Sequence, residues 1–203
     1  PTLPFTELFR KDIFVFNPIV EGNYMVVQEI GLLGRKIVAY NLTDGSEVWN
    51  FTIGASTAAN PIISHGTLYF GLINSPKIFA LDLLSGNLRW ENQLTVESYG
   101  FRFSPVVIAD RLFIAGQQLH SLDRITGQLI WTKSLDVETP MAVDSDALYD
   151  RTHNHSLVKV DPSNGDFIWG FDTIFTAATT PVIGIEYIYT GTYQQLLAID
   201  KIS

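Results

Sequence analysis

The sequence predicts an all-β fold, a five-bladed β-propeller of four-stranded antiparallel blades. Three observations predict it. Tryptophans stand at 49, 90, 131 and 169, so that successive ones are 41, 41 and 38 residues apart. Each ends the same phrase: Asn41-Leu-Thr-Asp-Gly45-Ser-Glu-Val-Trp49, Asp82-Leu-Leu-Ser-Gly86-Asn-Leu-Arg-Trp90, Asp123-Arg-Ile-Thr-Gly127-Gln-Leu-Ile-Trp131 and Asp161-Pro-Ser-Asn-Gly165-Asp-Phe-Ile-Trp169. Five short segments open with a polar residue, a proline and an apolar stretch. A period of roughly 40 residues with strand-like composition marks four-stranded blades repeated around an axis, an architecture shared with WD40 repeats.

The elements follow in order within each repeat. Strand A is Asn17-Pro18-Ile19-Val20, Asn60-Pro61-Ile62-Ile63, Ser104-Pro105-Val106-Val107, Thr139-Pro140-Met141-Ala142 and Thr180-Pro181-Val182-Ile183. Proline is tolerated at the first residue of a strand, where no ladder donor is lost. A turn leads into strand B, at Tyr24–Val27, Thr67–Phe70, Arg111–Ile114, Ala147–Tyr149 and Tyr187–Tyr189, rich in aromatic and β-branched residues. Strand C covers Ile37–Tyr40, Ile78–Leu81, Leu119–Leu122, Leu157–Val160 and Leu196–Ile199. It ends in Asn41, Asp82, Asp123, Asp161 or Asp200, whose side-chain oxygen suits it to accept backbone N–H groups of a tight turn. The glycine four residues later (Gly45, Gly86, Gly127 or Gly165) supplies a positive φ. Strand D then carries the tryptophan, which is expected to pack on a neighbouring blade with one partner for its N–H.

There are five A–B–C units and four complete D strands; the fifth unit stops at Ser203, before its glycine. At the other end, Glu7–Ile13 stands where a D strand belongs, with Phe9 in the tryptophan position. The economical expectation is closure of one domain, residues 1–203, by pairing of the N-terminal segment with the last blade, which removes both sheet edges. The alternative is a piece of a larger array, up to eight blades.

The phrase A-x-D-x-x-T/S-G-x-x-x-W, clearest at Ala80–Trp90 and Ser121–Trp131, resembles the PQQ-like repeat of the quinoprotein alcohol dehydrogenase-like propellers. The resemblance covers nearly the whole chain. It implies a propeller whose relatives include quinone-dependent dehydrogenases, an outer-membrane assembly lipoprotein, and sensor or scaffold domains. The dehydrogenases carry a vicinal cysteine disulfide beside the quinone and calcium-binding carboxylates and amides around it. This chain has no cysteine and no matching cluster, so no cofactor is expected and PQQ least of all. Binding or scaffolding is the reading that remains.

Composition sets outer bounds. The formal charge is −8, from 13 basic and 21 acidic residues, which disfavours nucleic acid and anionic lipid as partners. No apolar run reaches the roughly 20 residues of a membrane helix, and no signal peptide is visible. The chain opens at Pro1 rather than Met, as a mature or trimmed chain does. Three Asn-x-Ser/Thr sequons, at Asn41, Asn50 and Asn154, point toward an extracellular or periplasmic setting.

Candidate site residues are those that do not serve the repeat. The D-to-A connections differ strongly, and the longest holds Glu97, Tyr99, Phe101, Arg102 and Phe103. Irregular loops on a rigid scaffold carry binding, and Tyr and Arg are over-represented at binding hot spots; the bland alternative has these aromatics filling gaps. Asn17, Asn60, Ser104, Thr139 and Thr180 precede the strand-A prolines and in a closed ring would encircle one end of a channel, offering polar groups to water, an ion or a small polar ligand. Otherwise they reflect the extended conformation that proline imposes on the residue before it. His153-Asn-His155 near Asp150 offers two imidazoles but no third metal ligand, and no metal is expected. The sequence therefore favours a non-catalytic propeller holding a protein or other macromolecule through its D–A loops. The alternative is a small-ligand or enzymatic propeller, for which Glu97, Asp136 and Glu138 are the acids that could converge.

Overall fold

The computed structural model describes residues 7, 9–31, 34–56, 58–94, 100–135, 137–152, 156–172, 179–192 and 194–202. Their regular structure is all β, in five antiparallel meanders. The first sheet is β1 (Val15–Glu21), β2 (Tyr24–Gly31), β3 (Gly34–Asn41) and β4 (Glu47–Gly54). The second is β5 (Ile62–Ser64), β6 (Thr67–Leu72), β7 (Ser75–Asp82) and β8 (Leu88–Gln93). The third is β9 (Val106–Ile108), β10 (Arg111–Ala115), β11 (Leu119–Asp123) and β12 (Leu129–Lys133). The fourth is β13 (Ala142–Val143), β14 (Leu148–Arg151), β15 (Ser156–Val160) and β16 (Phe167–Asp172). The fifth has three strands, β17 (Val182–Ile183), β18 (Tyr187–Gly191) and β19 (Leu196–Asp200).

The repeated phrase acts as the sequence predicts. Asp123 Oδ1 accepts the Ile125 and Thr126 N–H groups at 2.9 and 2.7 Å, and Asp82 Oδ1 accepts those of Leu84 and Ser85 at 3.1 and 2.9 Å. Asn41, Asp161 and Asp200 each accept the N–H two residues on. Gly45, Gly86, Gly127 and Gly165 have φ between 70° and 75°. In every four-stranded sheet the tryptophan stands opposite the residue two before the Asx position: Ala39, Ala80, Ser121 and Lys159. A bulge follows at once, where the turn re-enters the ladder.

The tryptophans join the sheets. Trp49 donates its N–H to Leu83 O at 2.8 Å, Trp90 to Arg124 O at 3.0 Å, and Trp131 and Trp169 to Pro162 O and Lys201 O at 3.3 Å. The first three rings lie against Gly86, Gly127 and Gly165 of the following sheet. Each indole thus caps a neighbouring turn while staying in contact with carbon on its faces, as a buried tryptophan requires.

The core is a series of inter-sheet layers. Alternate residues of strand B face opposite neighbours. Leu68 and Phe70 pack back on the first sheet, whereas Tyr69 packs forward on the third. Internal strands are therefore apolar on both faces, and every residue of β6 is buried. At roughly 1.5–3 kcal/mol per fully buried large side chain, these layers dominate the stability.

Closure by pairing of the N-terminal segment with the fifth sheet is not seen among the described residues. The described residues of 7–13 belong to no strand, and the fifth sheet has three strands among the described residues. Phe9 does take the tryptophan place, but on one side only: its ring covers Gly45 of the first sheet, as Trp49 covers Gly86. The aromatic-on-glycine contact is local and forms wherever the segment lies along the turn. The ladder to β19 requires the whole ring to curl shut, and local pattern does not dictate that curvature.

Candidate functional site

The two ends of the stacked sheets differ chemically. At one end, A–B and C–D turns bond to each other: Leu42 N–H to Asn23 O, Leu83 to Gly66, Arg124 to Asp110 and Lys201 to Glu186, at 2.9–3.1 Å. Together with the Asx bonds, these leave the polar groups of the repeat engaged within the turns. The carboxyls of Asp44, Asp82, Asp123 and Asp161 here are held low, largely by hydrogen bonds within the turns. The Asp82 carboxyl lies at about 2, chiefly through its bond from Arg89 at 2.7 Å and then through the turn around Ser85.

The other end, where strand B finishes and the D–A connections cross, carries the departures from the repeat. In the longest connection, Phe101 is fully buried, stacked edge-on to His120 and pressed on Gly71 between the second and third sheets. Phe103 is half-buried against the layer between the third and fourth. Arg102, between these two anchors, is exposed. Glu97 and Tyr99 lie outside the described residues, as do Asp136, His153 and His155.

Sequence reasoning missed a buried polar group at this same end. Asp150 and Arg151, consecutive on β14, are 1% and 0% exposed. Alternation sends Asp150 toward the third sheet, on the side of Leu148, and Arg151 toward the fifth, on the side of Tyr149. Asp150 Oδ1 accepts the Arg151 N–H at 2.6 Å and the Thr139 hydroxyl at 3.4 Å, while Oδ2 has no partner among the described residues. Burial pushes its carboxyl well above the usual range. Desolvation lowers Arg151, opposed by the charge of Glu138, whose N–H bonds to Arg151 O at 2.8 Å. Aligned on the Asx residue, the fourth position of strand B reads Val27, Phe70, Ile114, Asp150 and Thr190. That carboxylate, where the first three repeats have Val27, Phe70 and Ile114, was the available signal.

The residues before the strand-A prolines do not share one environment. Thr139 is buried and bonded to Asp150. Asn60 is exposed, whereas Asn17, Ser104 and Thr180 are half-buried. Asn17 has φ 52° at a bulge in β1.

The quinone that the repeat resemblance brings to mind does not fit. The chain has no cysteine for the vicinal disulfide, and no three His, Cys, Asp or Glu residues gather to hold an ion among the described residues.

The family model described as outer membrane protein assembly factor BamB matches residues 4–170 and 95–203. Outer membrane protein assembly factor BamB of Yersinia pestis is 22% identical over 151 residues, covering 66% of this chain and 38% of that protein. The chain thus spans less than half the length of the curated relatives it matches. The crystal structure of BamB from Moraxella catarrhalis superposes with a TM-score of 0.72 at 20% identity, over 91% of this chain and 60% of that one. Quinohemoprotein alcohol dehydrogenase from Comamonas testosteroni gives 0.74 at 14% identity, over 91% and 41%. These likenesses show a β-propeller fold, and the family match shows that the chain belongs to the outer membrane protein assembly factor BamB family of PQQ-like repeat proteins.

Proposed function

We propose that this chain, acting as one propeller module over residues 1–203, is a non-catalytic scaffold in the periplasm that holds a protein of outer-membrane assembly through its D–A face. The name borne by its relatives motivates the class of partner. One observation supports the face: Phe101 and Phe103 sit in two inter-sheet layers and leave Arg102 exposed between them on a short, doubly anchored arch. A cation held this way loses little freedom on binding, and arginine on a rigid mount is a common hot spot. The opposite end offers less, because its polar groups are engaged in the turns. The finer reading adds Glu97 and Tyr99 of the same connection to the contact.

The test compares the two ends. A Tyr99→Ala, Arg102→Ala double variant and an Asn87→Ala variant, whose side chain is exposed on a C–D turn, are each tried for binding to purified outer-membrane assembly proteins. The proposal requires at least a tenfold loss in the first and none in the second. Equal retention by both removes the D–A face from consideration.

A further inference from the structure

The protein is acidic, with 21 carboxylate side chains against 13 cations. In such a chain a cation readily finds a carboxylate. All 13 lie among the described residues, and every one but Arg35 and Arg102 is answered within the chain by a carboxylate, a backbone carbonyl or an aromatic ring. The two exceptions lie at the same end of the molecule, where the D–A connections cross. Arg35 stands at the B–C tip of the first sheet, opposite Ile30 of β2. It shares a face of β3 with Ile37 and Ala39, so it belongs to the internal layer between the first and second sheets. Arg102 follows Phe101, which sits in the next layer.

The surface between the two arginines is apolar and pinned. Ile30 and Ile73, at the B–C tips of the first two sheets, are each 42% exposed. The first D–A connection is held by the Ala58 N–H on Gln28 Oε1 at 2.7 Å and the Ala59 N–H on Gly71 O at 2.8 Å. The second is held by the Phe101 N–H on Leu72 O at 2.7 Å, and a Cβ on Gly100 would fall 2.0 Å from that same oxygen. Both connections are thus bonded to the strand end that leads into Ile73.

We propose that Arg35, Ile30, Ile73 and Arg102 form a strip that docks an acidic segment of a protein partner, with its carboxylates on the arginines and an apolar side chain between them. The inference rests on the D–A face reading above and adds to it the chemistry of the partner and a second anchor, Arg35. Charge complementarity selects the occupant. On a chain of net charge −8, an acidic partner is repelled over most of the surface and gains most where cations stand unanswered. Neither arginine gives up an internal ion pair to bind a carboxylate through two N–H groups. A nucleic acid or an anionic membrane would lay many phosphates against the surrounding acids, whereas a short acidic segment meets the strip alone. Packed sheets are about 10 Å apart, so an extended segment carries the two carboxylates about three residues apart.

The test measures binding to purified outer-membrane assembly proteins for the wild type, Arg35→Glu, Arg102→Glu and the double reversal. Urea midpoints check that the fold is kept. Each single reversal is expected to weaken binding about tenfold, and the double one about a hundredfold. Raising salt from about 50 to about 300 mM weakens the wild type about tenfold and leaves the double reversal unchanged. Asn87→Glu adds a negative charge on an exposed C–D turn at the opposite end and is expected to change nothing; an equal loss there overturns the proposal. A loss in Tyr99→Ala, Arg102→Ala with none in Arg35→Glu, or binding indifferent to salt, overturns the acidic partner and leaves the D–A face standing. No loss in any of these D–A variants overturns both readings. Binding of phosphatidylglycerol vesicles through the same two arginines, with none of the purified proteins held, assigns the strip to lipid and overturns the proposal.

Discussion

Gly127→Ala and Gly54→Ala separate two costs that every repeat turn combines. Both glycines adopt left-handed backbone, with φ of 72° and 68°. An L-residue there loses about 1–2 kcal/mol. They differ in surroundings. A Cβ at Gly54 meets nothing within 4 Å, whereas one at Gly127 falls 2.6 Å from Cδ2 and Cε3 of Trp90. The indole cannot retreat freely, because its N–H is bonded to Arg124 O at 3.0 Å. Forcing a methyl into such a contact costs about 1–3 kcal/mol more. Gly54→Ala is therefore expected to lose about 1–2 kcal/mol and Gly127→Ala about 2–5 kcal/mol. In urea, with a slope of about 2–3 kcal/mol/M, the extra loss separates the two midpoints by roughly 0.3–1.5 M. Trp90→Ala removes the obstructing ring, so Gly127→Ala in that background should cost no more than Gly54→Ala does in the wild type. Equal losses for the two single variants, or no rescue by Trp90→Ala, would show that the ring-on-glycine contact does not hold the sheets together.

Asp123→Ala removes the acceptor of two backbone N–H groups and the Thr126 hydroxyl, and is expected to cost about 1–2 kcal/mol at pH 7 in urea unfolding. The turn N–H groups lower its carboxyl, first that of Thr126, so its contribution is complete above the unfolded carboxylate range and fades as pH falls through the folded value. The gap between variant and wild type should accordingly shrink toward pH 2; a constant gap contradicts the Asx role. Asp150 has the opposite sign. Its raised carboxyl makes the folded state bind the proton more tightly, so it lowers stability progressively as pH rises above the unfolded value near 4. Asp150→Asn keeps Oδ1 as acceptor and is expected to stabilise at pH 8 but not at pH 4, and melting temperatures at the two pH values decide the matter. Trp131→Phe loses one hydrogen bond at 3.3 Å while retaining much of the ring, and should cost about 1 kcal/mol by denaturant titration; a loss above 4 kcal/mol would mean that the indole holds more than the Pro162 turn.

What was legible in the sequence was local. The Asx residue, the left-handed glycine and the bulge belong to one nine-residue phrase, and each part follows from the chemistry of its own residue. Trp49 could be assigned to a neighbouring turn because its interval fixed where the next turn lay. Closure was not legible, because it sums a small wedge angle over four inter-sheet layers, and no single residue encodes that sum. Phe9 illustrates this: its place on Gly45 was foreseen in kind, while its absence from the β19 ladder depends on the whole arc. Arg102 was singled out for its residue type, but its mounting between Phe101 and Phe103 needed the positions of the inter-sheet layers. Asp150 and Arg151 escaped because only the pairing register shows which side of β14 each one faces.

The placement of that pair bears on the proposed D–A binding face. Neighbours on a strand point to opposite faces, so the Asp150 and Arg151 side chains enter different inter-sheet layers and cannot form an ion pair across the sheet. Each must be compensated separately, Arg151 by the charge of Glu138 and Asp150 by the Arg151 N–H and the Thr139 hydroxyl. An apolar residue at position 150, like Val27 or Ile114 at the same place in other repeats, would avoid the desolvation cost altogether. The repeat thus departs from its most stable form at the end where the D–A connections cross. Thr139 and Glu138, the residues that answer Asp150 and Arg151, lie on one of those connections. A loop tied down through buried polar groups is fixed in shape as well as in position. The same holds for the Arg102 arch by a different means, two aromatic anchors in place of two charges. The anchored segments around Arg102 and Thr139 at one end and the self-contained turns at the other fit the proposed recognition scaffold, since an anchored segment keeps its shape when a partner leaves and loses little entropy when one arrives.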